Sequence, residues 1–135
     1  VLATTFWEPS TRPDPATGKK VWAWFALDEE RPLFAFAGIW RTWHGVRGTK
    51  ANSIEGMHEL FGFLTTEPNA MVRAMHQKAM PAILRTGEEI DLWMGAPIGE
   101  ALALQKPLRD AGLMIVGKGR HESALFPRGA FISQF

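Results

Sequence analysis

Two side chains in this sequence sit where a proton could be moved. Glu8 lies between Trp7 and Pro9 in an apolar, strand-like segment. A carboxyl group partly buried beside an indole has a raised pKa, which suits it to general acid and base work. The plainer reading is a strand-end glutamate facing water, where that residue is usually found. His76 follows a short amphipathic stretch and precedes Gln77, Lys78 and Pro81. From such a junction an imidazole could project into a cleft and both take and give a proton near neutral pH. A helix-end or core histidine is the alternative. A third candidate is the stretch from Arg31 to Lys50, which has no Asp or Glu and places Arg31, Arg41, Arg47 and Lys50 among Phe34, Phe36, Trp40 and Trp43. Such a surface could stack bases and neutralise phosphates. Phe34 and Phe36 read better as core residues, whereas Trp40, Arg41 and Trp43, at the strand end, fit either role.

Composition narrows the chemistry. The 135 residues contain no cysteine, so they offer no disulfide framework, thiolate metal site or cysteine nucleophile. Four histidines, His44, His58, His76 and His121, include no pair at the one-turn spacing of a zinc helix, and neither a metal nor a cofactor is expected. Gly112, Gly117 and Gly119 do not fit a nucleotide fingerprint. The net charge of +1 does not advertise a phosphate binder, but charge is segregated, with acid gathered at Asp28 to Glu30 and at Glu88, Glu89 and Asp91. No apolar run has the length of a membrane span and Val1 to Pro9 does not resemble a secretory signal, so the expectation is a cytoplasmic protein with no membrane partner.

The elements that must position these groups follow from the pattern. Pro9 to Lys20 reads as a surface loop, and Val21 to Leu27 as an aromatic strand. Leu33 to Trp43 reads as a second strand with a bulge at Gly38, joined to the first as an antiparallel hairpin. The glycine-containing, polar run from His44 to Met57 predicts a flexible connection, and Glu59 to Thr65 a third strand. Asn69 predicts a cap for a helix from Ala70 to about Met75, and Pro81 an extended approach to Ala82 to Leu84. Thr86 and Glu89 have capping-box spacing for a helix from about Gly87 to Met94. A helix over Gly99 to Leu104 and a short strand over Leu113 to Val116 complete the pattern, with 120–135 an irregular tail. The sum is an α+β domain with a mixed, mostly antiparallel twisted sheet and short helices inserted late in the chain.

Four ordered blocks carry a resemblance. Thr4-Thr5-Phe6-Trp7-Glu8, Leu33-Phe34-Ala35-Phe36-Ala37-Gly38-Ile39-Trp40, Phe63-Leu64-Thr65-Thr66-Glu67-Pro68-Asn69 and Met75-His76-Gln77-Lys78-Ala79-Met80-Pro81 resemble, in order and separation, the signatures of the SOS response-associated peptidase (SRAP) family. The likeness runs from Val1 to about Gly119 and implies a partial, barrel-like SRAP fold. Members of that family sense abasic sites in single-stranded DNA. Their amino-terminal cysteine condenses with the ring-opened sugar to form a thiazolidine, and their peptidase activity amounts mainly to self-processing. The resemblance implies that Glu8 assists ring opening and proton transfer and that His76 acts as acid and base at the sugar and in the release or lyase step. It implies that Thr65 and Lys78 contact the abasic nucleotide and its phosphates; the aromatic and basic stretch, read by itself, adds Trp40 and Arg41 as DNA-binding candidates.

The departures are as informative as the matches. Pro9 stands where the family has Trp, and Leu2 where it has Pro. The family's cysteine and a sugar-orienting asparagine belong to an amino-terminal region, roughly the first half of a typical member, that these residues do not include. Residues 1–135 are therefore expected to form one incomplete SRAP-like domain, inactive in crosslinking by themselves. Its partners would be abasic single-stranded DNA and either the missing half or a second copy. A non-enzymatic DNA-binding or interaction module is the alternative.

Overall fold

The computed structural model describes residues 1–119; the tail expected over 120–135 lies outside them. Every strand pairing in this part is antiparallel. Strands β1 (Leu2–Ala3), β2 (Phe6–Pro9), β3 (Trp22–Ala26) and β4 (Phe34–Phe36) come first, followed by the much longer β5 (Gly38–Thr49) and β6 (Asn52–Phe63). The pair β7 (Thr65–Thr66) and β8 (Met80–Pro81) brackets helix α1 (Ala70–Arg73). After β9 (Ile83–Leu84) come α2 (Gly87–Gly95), α3 (Ile98–Ala101), two 3-10 turns and β10 (Met114–Gly119). The architecture is α+β with its helices late in the chain, as the pattern implied. The strands form separate small sheets ordered β1-β4-β9 and β10-β3-β2 plus two pairs, and they do not close into a barrel.

The core joins the two three-stranded sheets. Phe6 of β2 stacks on Phe25 of β3, with ring centroids 5.2 Å apart, and meets Phe34 and Phe36 of β4 edge-on. Val72, Met80, Ile83, Leu108 and Leu113 close around these rings. Their burial supplies the largest favourable contribution to folding. A smaller apolar cluster of Ala35, Ala37, Ala82, Leu84 and Leu104 seats α2 through Ile90 and Trp93.

Two expectations about the strands are corrected. The expected hairpin of Val21–Leu27 with Leu33–Trp43 does not form, because β3 pairs with β2 and β10 while β4 pairs with β1 and β9. The run from Leu33 to Trp43 is instead divided at Ala37, where the chain passes from the core into the long arm. The flexible connection expected over His44–Met57 is strand throughout, except at the turn around Lys50 and Ala51, and β5 pairs with β6 without a register shift from Gly38↔Phe63 to Thr49↔Asn52. Both helix caps are present. The Asn69 side chain accepts a hydrogen bond from Val72 N–H at 3.0 Å, and Thr86 Oγ1 accepts one from Glu89 N–H at 3.2 Å. The Glu89 carboxylate reaches back one residue further than a capping box requires, accepting from the Arg85 N–H at 2.6 Å.

Candidate functional site

Glu8 owes its burial to alternation. In β2, Phe6 and Glu8 share a face, and in the register with β3 they lie opposite Phe25 and Ala23, both fully buried. The strand that anchors the aromatic core therefore carries a carboxyl group inward with it, and Glu8 is only 5% exposed. Removal from water disfavours the charged form, and burial pushes the Glu8 carboxyl from 4.5 up to about 7. The solvated strand-end reading is thereby excluded.

His76 reaches this carboxyl from the far side of α1. The Asn69 cap fixes the first turn, and the helix closes with His76 N–H donating to Val72 C=O at 2.7 Å. The chain after β2 is tied to the same place, since Thr11 N–H donates to Met75 C=O at 2.9 Å. These local bonds bring together two residues far apart in sequence. His76 Nδ1 lies 3.3 Å from Glu8 Oε2 and 3.3 Å from the Ala79 carbonyl oxygen. The Ala79 carbonyl can only accept, so it pairs with the tautomer that carries its proton on Nδ1; a protonated Glu8 carboxyl pairs equally with the other tautomer, in which Nδ1 accepts. The His76 side chain is 21% exposed against 7% for Glu8, so the imidazole lies between the carboxyl group and solvent.

The other candidate residues divide into two places. Thr65 is exposed in β7 opposite Pro81, with its carbonyl accepting from Gln105 Nε2 at 2.9 Å, and Lys78 is exposed on the segment joining His76 to β8. Lys78 thus lies two residues after His76 in the chain, and Thr65 lies on the strand that pairs with β8. Trp40 and Arg41 lie on the arm formed by β5 and β6, and as consecutive strand residues they project from opposite faces of it. They do not form one contact surface. Sequence reasoning missed the Ala79 carbonyl that meets His76 Nδ1 and the Gln105 amide that holds Thr65. A backbone acceptor leaves no mark on composition, and Gln105 is 40 residues from its partner. Among the described residues, no group of three His, Asp or Glu side chains is placed to hold a metal ion.

The small α+β scaffold thus holds a desolvated carboxyl group 3.3 Å from a partly exposed imidazole. The family model described as SOS response associated peptidase (SRAP) matches residues 1–116, and the chain belongs to that family. No curated protein matches the chain. Among the described residues, no helix is long and apolar enough to cross a membrane.

Proposed function

We propose that Glu8 and His76 form the proton-transfer pair of a domain that acts on abasic sites in single-stranded DNA. The observation that carries this reading is the 3.3 Å contact between His76 Nδ1 and a buried Glu8 carboxyl group whose pKa is about 7. Near neutral pH such a carboxyl group is divided between its two protonation states, so it can serve as acid or base. On a ring-closed abasic sugar, one group takes the proton from the C1′ hydroxyl while another gives a proton to the ring oxygen. The C1′–O4′ bond breaks and an aldehyde is left. His76 suits the first task, and the Glu8 carboxyl, in its protonated form, suits the second.

An amine and a thiol on one amino-terminal cysteine then add to the aldehyde with loss of one water, giving a thiazolidine. The 135 residues hold no cysteine, so in this reading the nucleophile comes from outside them. The Val1 amine by itself would form only a reversible imine. Thr65 and Lys78, both exposed, serve as the sugar and phosphate contacts.

The test is covalent capture of an abasic oligonucleotide. The 135 residues alone give no stable adduct, whereas the same chain joined to a cysteine-bearing amino-terminal region does. In that joined protein His76→Ala and Glu8→Gln each slow adduct formation by about 100-fold. A stable adduct from the 135 residues alone would overturn the assignment of the nucleophile, and unchanged rates in both variants would overturn the proton-transfer pair.

A further inference from the structure

The arm of β5 and β6 separates its charges by face. Its strands run in unbroken register, so side chains alternate strictly between two sides of the ribbon. One side carries Arg41, Trp43 and Arg47 from β5 with His58 from β6, and no Asp or Glu; the other carries Trp40, Phe61, Glu55 and Glu59, and no Lys or Arg. Among the described residues, Arg41 and Arg47 on the first side and Trp40 and Phe61 on the second are exposed. Apolar residues on the second side, Trp40 and Phe61, border a groove of about 490 Å³ that is also lined by Trp93 and Met94.

The basic side carries a flat aromatic plate between its two guanidinium groups. A Cβ on Gly45 would lie 2.1 Å from the Trp43 ring, so only glycine lets the indole lie down over the ribbon. His58 steadies it, with ring centroids 6.1 Å apart, while its own Nε2 is held 3.1 Å from the Gly45 carbonyl. Trp43 remains part exposed, and Arg41 and Arg47 are exposed. Those two arginines are six residues apart on one strand face, about 20 Å.

We propose that single-stranded nucleic acid lies along the Arg41–Trp43–Arg47 side of the arm, with phosphates on the two guanidinium groups and a base on the Trp43 indole, and that Trp40 on the opposite side takes no part. Positive charge without acid, together with a preformed stacking surface, is the chemistry that recognises a single strand without regard to sequence. The inference deepens the proposed action on single-stranded DNA and assigns that substrate a surface apart from the proton-transfer pair.

The experiment measures binding of the full chain to an undamaged, fluorescently labelled oligothymidylate over a series of salt concentrations. Trp43→Ala weakens binding at least about fivefold. Arg41→Gln and Arg47→Gln, both at exposed positions where folding is not at risk, each lower the slope of log affinity against log salt by about one. Phe61→Ala on the other side leaves affinity unchanged. A loss with Trp40→Ala as large as that with Trp43→Ala overturns the proposal. So do arginine variants that leave affinity and slope unchanged, or an unmodified chain that does not bind. Failure of the proton-transfer reading is seen separately, in the adduct assay on abasic DNA with Glu8→Gln, and that result does not depend on the arm.

Discussion

At the scale of a residue, the burial of Glu8 links stability to pH. Its carboxyl group titrates at about 7 in the folded protein against an ordinary 4.5, because burial penalises the charge. The folded state therefore holds this proton more tightly than the unfolded chain does. The resulting stability is fully present below about pH 4.5 and is lost as pH rises through about 7, a difference on the order of 3 kcal/mol. Glu8→Gln keeps the shape without the ionisation. Urea unfolding at pH 5 and pH 8 should show the unmodified protein losing about 3 kcal/mol more than the glutamine variant. Parallel pH profiles would mean that the carboxyl group is not desolvated. On the proposed function, the same substitution should also lower adduct formation once the chain is joined to a cysteine-bearing amino-terminal region, so the variant favoured at pH 8 should be the less active one.

At the scale of an element, what the sequence made legible was local. Asn69 and Thr86 announce helices because a cap is a bond between a side chain and a backbone N–H three residues away, and both helices start where the caps place them. Asn69 also donates from Nδ2 to the Arg109 carbonyl at 3.4 Å, so it ties α1 to the chain before β10. Asn69→Ala should cost about 1–3 kcal/mol in chemical denaturation, since it removes a cap and leaves buried partners unsatisfied. It should also slow adduct formation, because α1 leads directly into His76. A stability loss with unchanged adduct rate would show that α1 does not position the imidazole. The arm was illegible for the opposite reason. Exposed on both sides, β5 and β6 lack the half-buried alternation by which a strand is read, and the Gly45–Gly56 pair imitates a loop. The mistaken hairpin has a similar origin, since alternation in Val21–Leu27 specifies a buried face without naming the strand that pairs with it.

At the scale of the whole molecule, the site depends on long-range packing. The four sequence blocks supplied Glu8 and His76, and Phe6 locks the sheet of β2 and β3, which carries Glu8, onto the sheet of β4. Phe6 is 1% exposed and touches rings from both sheets, two residues before Glu8 on the same strand face. Removing it opens a cavity between the sheets, at a cost of about 3–5 kcal/mol. A small domain has only about 5–15 kcal/mol of stability in total. Phe61, by contrast, is 72% exposed on the arm, and its removal should change stability by no more than about 0.5 kcal/mol. Denaturant unfolding of Phe6→Ala and Phe61→Ala, followed by both the Trp signal and far-ultraviolet dichroism, distinguishes the two parts. If Phe6 is the joint between the sheets, its alanine variant unfolds at a much lower midpoint, and in the protein joined to a cysteine-bearing amino-terminal region it should lose adduct formation at denaturant concentrations that leave Phe61→Ala folded. If the two variants have equal midpoints, the sheets are held by other contacts, and the approach of His76 to Glu8 must be set by the bond from Thr11 to Met75 and by the α1 cap.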